Sequence, residues 1–299
     1  MKIKKVSRRV LRQNLLAWAL LAPTLLFLTL FTFYPFAKTI VLSFFTRNLS
    51  TPNAVFSGLQ NYRAAFKDPV FIKVLWNNLR FSLLVVPVCL CLGLLLAYLL
   101  NSESKGIGLA RAAIFYPNVS PMIGFSLVWV FLLTPQIGFI DNVVRLLGGP
   151  SINWIGDPRY VLYAISFVYI WREAGFLMIF FLSGMQAISR EYYEAAIIDG
   201  ANEWQKFYKI TLPLLMPTMV FAVTLSITNS VKMVDSIIVM TEGGPDNASS
   251  LLMFHIYKTA FTYWDQGQAA ALSVIMLAVV LLLTALQYGV LDRHTHYES

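Results

Sequence analysis

Six long apolar runs leave this chain few folds. They lie at about residues 15–37, Phe81–Leu100, Ala112–Leu133, Tyr160–Leu182, Leu212–Met240 and Ala269–Leu291. A helix rises about 1.5 Å per residue, so about twenty apolar residues cross the roughly 30 Å hydrocarbon core of a bilayer. Inside that core every backbone N–H and C=O has to be satisfied by the chain itself, which for runs this long means helices. Composition agrees: 58% of residues are hydrophobic and only 13% are charged, with a mean hydropathy of +0.65. A soluble domain carries about 25% charged residues. The expectation is an all-α membrane protein with six transmembrane helices in one domain, 15–291. A basic N-terminus, 1–14, and a tail, 292–299, flank it.

Charge distribution orients the chain. The net charge is +8, and six of the 23 Lys and Arg fall in the first twelve residues: Lys2, Lys4, Lys5, Arg8, Arg9 and Arg12. A basic start before an apolar run also describes a signal peptide. This run is long enough to span, however, and no A-x-A-like cleavage site follows it. Six spans put both termini on one side. If that side is inside, the inner segments hold twelve Lys and Arg and the outer loops seven. The positive-inside rule therefore puts both termini and the 183–211 segment in the cytoplasm. The positive charge is a topology signal and does not point to nucleic acid. Cys89 and Cys91 share one run at i, i+2, facing different sides of a helix, so no disulfide joins them.

The most informative polar stretch is Glu194–Pro213, EAAIIDGANEWQKFYKITLP. Ala195, Ala196 and Ile197 suit a helix. Gly200 interrupts it, as a C-cap or as a turn residue with positive φ. Trp204, Phe207 and Tyr208 then recur at helical spacing among Glu203, Lys206 and Lys209. Pro213 stands where the next membrane helix begins. This reads as a helix–turn–helix on the membrane surface, built for something to dock on. The fixed positions Glu194, Ala195, Ala196, Gly200, Ile210, Leu212 and Pro213 resemble the cytoplasmic loop signature of permease subunits of binding-protein-dependent ABC importers. The resemblance implies the type I importer permease fold, in which this loop is the coupling helix that fits a cleft in an ATP-hydrolysing subunit. It implies as partners a second permease subunit, two ATP-binding subunits on the cytoplasmic side and an external solute-binding protein, in a bacterial inner membrane.

The outer loops extend the likeness. GLQNY at Gly58–Tyr62, the F-x-DP-x-F segment at Phe66–Phe71, and TEGGP at Thr241–Pro245 followed by HIYKTAF are similar to the carbohydrate branch of these permeases. That branch takes in maltose-type, multiple-sugar and glycerol-3-phosphate importers. The Asp68-Pro69 turn and the aromatic residues of loop one suggest a short folded cap.

Chemistry of its own is not visible in the chain. There is no G-x-x-x-x-G-K-[ST] phosphate loop, no H-E-x-x-H and no G-x-S-x-G. ATP hydrolysis would belong to a partner, and no cofactor is called for. His294 and His296 lie in the tail and read as solvated. Four ionisable residues fall within spans: Arg172, Glu173, Lys232 and Asp235. Such groups face a cavity or a partner by default. Lys232 and Asp235 stand at i, i+3 and can pair on one helix face. Thr224, Thr228 and Asp235 form a stripe, with Ser226, Asn229 and Ser230 beside it. The stripe suits either a water-filled pathway or helix–helix hydrogen bonds. Thr228, Asn229, Lys232 and Asp235 are the candidate pathway residues. Arg172 and Glu173 read as a pair that holds helices together. The expected function is a permease subunit forming half of a carbohydrate path. Alternatives are a polyol-phosphate importer permease such as one for glycerol-3-phosphate, and a self-sufficient secondary transporter with its own coupling-ion site.

Overall fold

The computed structural model describes residues 8–102 and 104–291. Lys2, Lys4 and Lys5, and the tail with Arg293, His294 and His296, lie outside the described residues. The helices are α1 (Arg8–Leu28), α2 (Tyr34–Leu42), α3 (Gln60–Lys67), α4 (Pro69–Leu99), α5 (Ile107–Val119), α6 (Met122–Leu133), α7 (Phe139–Leu146), α8 (Val161–Ala187), α9 (Arg190–Ile198), α10 (Glu203–Lys206), α11 (Leu212–Leu214), α12 (Met216–Val231), α13 (Asp235–Met240), α14 (Leu252–Tyr257) and α15 (Gln266–Leu291). A two-residue antiparallel ribbon pairs Phe45 with Phe56 and Thr46 with Val55. Five stretches are long and apolar enough to cross a membrane: Gln13–Leu42, Pro69–Leu99, Val161–Ala187, Met216–Met240 and Gln266–Gln287. A sixth is completed by α5 and α6, if that bent pair is one span.

By its internal contacts the chain divides into two compact units, Met1–Ala65 with Thr259–Val274, and Phe66–Lys258 with Ile275–Ser299. The first is held by backbone carbonyls around the ribbon. The buried Asn61 amide donates to the carbonyls of Ser43 and Phe45, each at 2.9 Å. The carbonyl of Arg47 accepts from Gln266 and Gly267 N–H groups at 2.9 and 3.2 Å.

In the second unit α4 packs along α8. Phe81, Val85 and Cys89 of α4 and Leu177, Met178 and Phe181 of α8 are fully buried. Small residues permit close approach between membrane helices. A Cβ on Gly93 would lie 2.8 Å from that of Leu177, and one on Gly175 would lie 2.5 Å from the carbonyl oxygen of Ile114 on α5. Hydroxyl pairs join further helices: Ser82 with Ser230 at 2.8 Å and Ser126 with Ser236 at 3.0 Å.

Three helices differ in extent from the expected spans. The second begins at Pro69 and not near Phe81, because the Asp68 side chain caps Val70 N–H and Pro69 occupies the first turn, where its missing N–H costs nothing. The third is no single helix over Ala112–Leu133. α5 and α6 meet at a 99° bend. Ser120, which precedes Pro121, is forced into an extended conformation with ψ 141°, away from the α region. The fifth, expected over Leu212–Met240, stops at Val231 and restarts at Asp235, with Val234 at φ −144° between.

Between α6 and α8 the chain winds around one carboxylate. Asp141 is fully buried and accepts hydrogen bonds from Gln136 N–H at 2.7 Å, the Ser151 hydroxyl at 2.8 Å and Ile152 N–H at 3.0 Å. The backbone bond from Gln136 is the chief reason its pKa falls below the ordinary aspartate value; burial opposes this, and Ile152, Ser151 and Arg145 reinforce it. An acid stronger in the folded state stabilises the fold above its unfolded pKa of about 3.9, and that stabilisation is lost as pH falls from there through the lower folded value. Asp141→Ala is expected to speed amide hydrogen exchange across 136–152 by about tenfold or more, the scale of one lost charge-assisted bond. In the wild type the same segment should lose protection on acidification below about pH 3.9, and the variant should lack that step. Unchanged exchange in the variant would remove Asp141 from this role.

Candidate functional site

Two places in the second unit concentrate polar side chains on an otherwise apolar scaffold. The first is the segment after α8. Ser189 caps α9, accepting from Glu191 N–H. The helix closes with two reverse bonds, Gly200 N–H to the Ile197 carbonyl at 3.0 Å and Ala201 N–H to that of Ala196 at 2.9 Å. This is the Schellman arrangement, which requires a left-handed residue at Gly200. Its φ is +77°. Of the two readings open in the sequence, turn residue or C-cap, Gly200 serves as both. The chain restarts at once through a reciprocal capping box between Asn202 and Gln205.

The aromatic stripe divides. Trp204 and Tyr208 stack with centroids 5.8 Å apart, and Phe207 lies edge-on between Tyr208 at 5.2 Å and Tyr98 at 5.1 Å. Tyr193 and Thr211 hydroxyls meet at 2.9 Å, tying α9 to the stretch entering α12. What remains uncovered is chemically mixed. Glu194, Ala195 and Gly200 are exposed, as are Ile197, Ile198 (86%) and Trp204 (71%). Ala196, Ile210 and Leu212 are half-buried and support the turn, and Pro213 is exposed at α11.

The second place is a cavity of about 390 Å³ among α5, α6, α8, α12 and α13. Its polar lining comprises Asn118, Tyr169, Arg172, Glu173, Asn229, Lys232, Asp235 and Ser236. Both breaks in the helices open onto it. The Asn118 amide donates to the Arg172 carbonyl at 2.9 Å, and the Arg172 guanidinium donates to Met122 sulfur at 2.8 Å, so residue 172 holds both sides of the α5–α6 bend. Across the cavity the Asn229 amide donates to the Glu173 carboxylate at 3.0 Å.

Of the four candidate pathway residues, Asn229, Lys232 and Asp235 line this cavity. Thr228 does not: its hydroxyl returns to the Thr224 carbonyl at 2.8 Å. Thr224 in turn accepts from Gln287 of α15 at 2.7 Å, so that part of the stripe is helix packing. The expected Lys232–Asp235 pair is also absent among the described residues. Lys232 ends α12 and Asp235 starts α13, so they never share a helix face. Arg172 and Glu173, read as a structural pair, line the cavity instead. They reach it without pairing with each other: Arg172 donates to Met122 and Glu173 accepts from Asn229. Asn118, Tyr169 and Ser236 were missed, and the only signal for Asn118 was an amide inside an apolar run. No cluster of three metal-ligating side chains occurs among the described residues.

A polar cavity within membrane-crossing helices, in a chain that also carries an exposed helix–turn–helix, suits a transport subunit, and comparison with known proteins decides which. Residues 89–297 match the family described as the binding-protein-dependent transport system inner membrane component. The chain belongs to that family. It is 34% identical to the sulfoquinovosyl glycerol transport system permease protein of Agrobacterium fabrum over 92% of this chain and 90% of that one. It is 32% identical to the lactose transport system permease protein of Rhizobium radiobacter, over 91% of this chain and 92% of that one. A solved bacterial alginate ABC transporter, in complex with an alginate pentasaccharide-bound periplasmic protein, includes a chain with the same fold: TM-score 0.84 at 21% identity, covering 96% of this chain and 97% of that one. The permease is thus a multi-pass inner membrane protein and the transport subunit of an ABC importer. ATP hydrolysis belongs to a separate subunit.

Proposed function

We propose that this permease forms half of the translocation path for a carbohydrate delivered by an external solute-binding protein. In this reading the other half comes from a second, similar permease, and two ATP-binding subunits dock at the exposed Gly200 turns. Both termini and the Glu194–Pro213 segment face the cytoplasm, in keeping with the excess of Lys and Arg in those segments. The observation that carries the reading is the exposed helix–turn–helix: Glu194 supplies a polar anchor, Ile197, Ile198 and Trp204 an apolar face, and the reverse bonds at Gly200 a fixed angle. A rigid element of this kind transmits movement of a docked partner. Tyr193–Thr211 passes it to α12, whose far end carries Asn229 and Lys232 into the cavity. Closure of the ATP-binding subunits would then switch the path between two packings of the same helices. Hydroxyl-rich solutes suit the cavity, which offers amides, carboxylates and the aromatic faces of Phe115, Tyr169 and Phe176. A polyol phosphate of the glycerol-3-phosphate type fits the same lining.

The test is a gentle detergent pull-down of a tagged copy from native membranes, read by mass spectrometry. A second six-span protein and an ATPase should accompany the chain. Recovery of this chain alone, under conditions that preserve other membrane complexes, together with solute movement by the chain alone in vesicles, would favour a self-sufficient secondary transporter.

A further inference from the structure

We infer that the solute crossing the cavity carries an acid group, a carboxylate, sulfonate or phosphate ester, and that Arg172 and Lys232 receive it. The inference rests on the carbohydrate-path reading above and narrows its substrate class. It comes from the hydrogen-bonding inventory of the cavity wall. A guanidinium has five N–H donors. That of Arg172 spends one on Met122 sulfur, a weak acceptor, and its Nε is buried with no partner. Lys232 has three donors, and among the described residues it makes no ion pair or side-chain hydrogen bond. The Tyr169 hydroxyl is buried at the wall with no partner either. The cavity is therefore rich in unspent donors.

Two carboxylates stand on the same wall, so net charge does not decide the matter. Geometry does. Glu173 follows Arg172 on α8, but its Oε1 takes the Asn229 amide while Arg172 turns to Met122. Asp235 is separated from Lys232 by the break between α12 and α13. Neither cation makes an ion pair with its sequence neighbour among the described residues. Two cations without an ion-pair partner among the described residues, in a cavity within the spans, suit an anionic ligand; a planar guanidinium suits an oxyanion in particular. Asp235, exposed and without a hydrogen-bond partner among the described residues, is left to accept from sugar hydroxyls.

The test uses the complete importer, with its binding protein and ATP-binding subunits, in proteoliposomes. Uptake is compared for matched probes: glucuronate and sulfoquinovose against glucose, and glycerol phosphate against glycerol. One acid is expected to enter about tenfold faster or more than its neutral partner, the scale of a hydrogen bond to a charged group. Which acid enters distinguishes carboxylate, sulfonate and phosphate. Lys232→Met and Arg172→Gln should each lower that acid-to-neutral ratio by about tenfold, and Lys232→Arg should keep it. A wild-type preference for the neutral member overturns the inference, as does a ratio unchanged in both variants. The wild-type ratio decides even where a variant fails to assemble. Rapid entry of a neutral sugar alone sinks this inference and leaves the carbohydrate path standing. No entry of any probe, while the binding protein still accelerates ATP hydrolysis, sinks both.

Discussion

Gly200→Val is expected to abolish most uptake while leaving the protein in the membrane. At φ +77° a side chain meets strain from its own backbone, and a Cβ there would have nothing within 4 Å. The penalty is therefore conformational. A left-handed residue costs about 1–2 kcal/mol for an L-amino acid, and more when it is β-branched. That range corresponds to a factor of about 5–30 in the population of the native turn. The reverse bonds to Ile197 and Ala196 would break, and α9 would lose its angle to Trp204. On the proposed mechanism the ATP-binding subunits would still hydrolyse ATP, and hydrolysis would no longer drive transport. Gly200→Asn is the control, since asparagine tolerates this conformation. Reconstituted uptake per ATP hydrolysed should be near wild type for the asparagine variant and low for the valine variant. Normal uptake by a well-expressed valine variant would falsify the coupling role.

Gly175→Ala should act at the opposite extreme, through space alone. The added Cβ would stand 2.5 Å from the Ile114 carbonyl oxygen, a backbone atom that cannot swing aside. Either α5 leaves α8 or the helices distort, and overpacking of this kind costs about 1–3 kcal/mol. The same shift would loosen the Asn118 bond to the Arg172 carbonyl and with it the cavity wall. Gly108→Ala, in the same α5, meets nothing within 4 Å and should be neutral or slightly stabilising. The thermal unfolding midpoint of the detergent-purified complex should therefore fall for Gly175→Ala and hold for Gly108→Ala. Equal midpoints for the two variants would mean that the α5–α8 contact tolerates separation.

The two glycine positions, Gly200 and Gly175, also mark how the chain's information is divided. Local features could be read directly. Apolar length specified the spans, because bilayer thickness sets it. The Gly200 turn was legible because its requirements are local: a residue able to take positive φ after a helix-prone run; the Asn202–Gln205 capping box, equally local, went unread. Proline effects were local too, yet were underused. Pro69 opens α4 and Pro121 bends the third span, both by rules that act on adjacent residues.

The cavity was only half legible. Ionisable residues inside apolar runs marked Arg172, Glu173, Lys232 and Asp235 as special, since hydrocarbon tolerates such groups only with a partner or water. Which of those two applied depended on side-chain direction across several helices. Helical periodicity put Lys232 and Asp235 on one face, and a break of three residues took them off it. The same periodicity placed Thr228 beside Asn229, and only the packing of Gln287 against Thr224 assigned that stripe to helix contact. Asn118 and Tyr169 join the site from α5 and α8 because Gly175 lets those helices touch. The sequence by itself determined the membrane setting, the helical class and the turn at Gly200, because each follows from bilayer thickness or from rules spanning a few residues. The tertiary structure alone decided which polar groups share a cavity and which charges stay unpaired, because those depend on the angles at which distant helices meet.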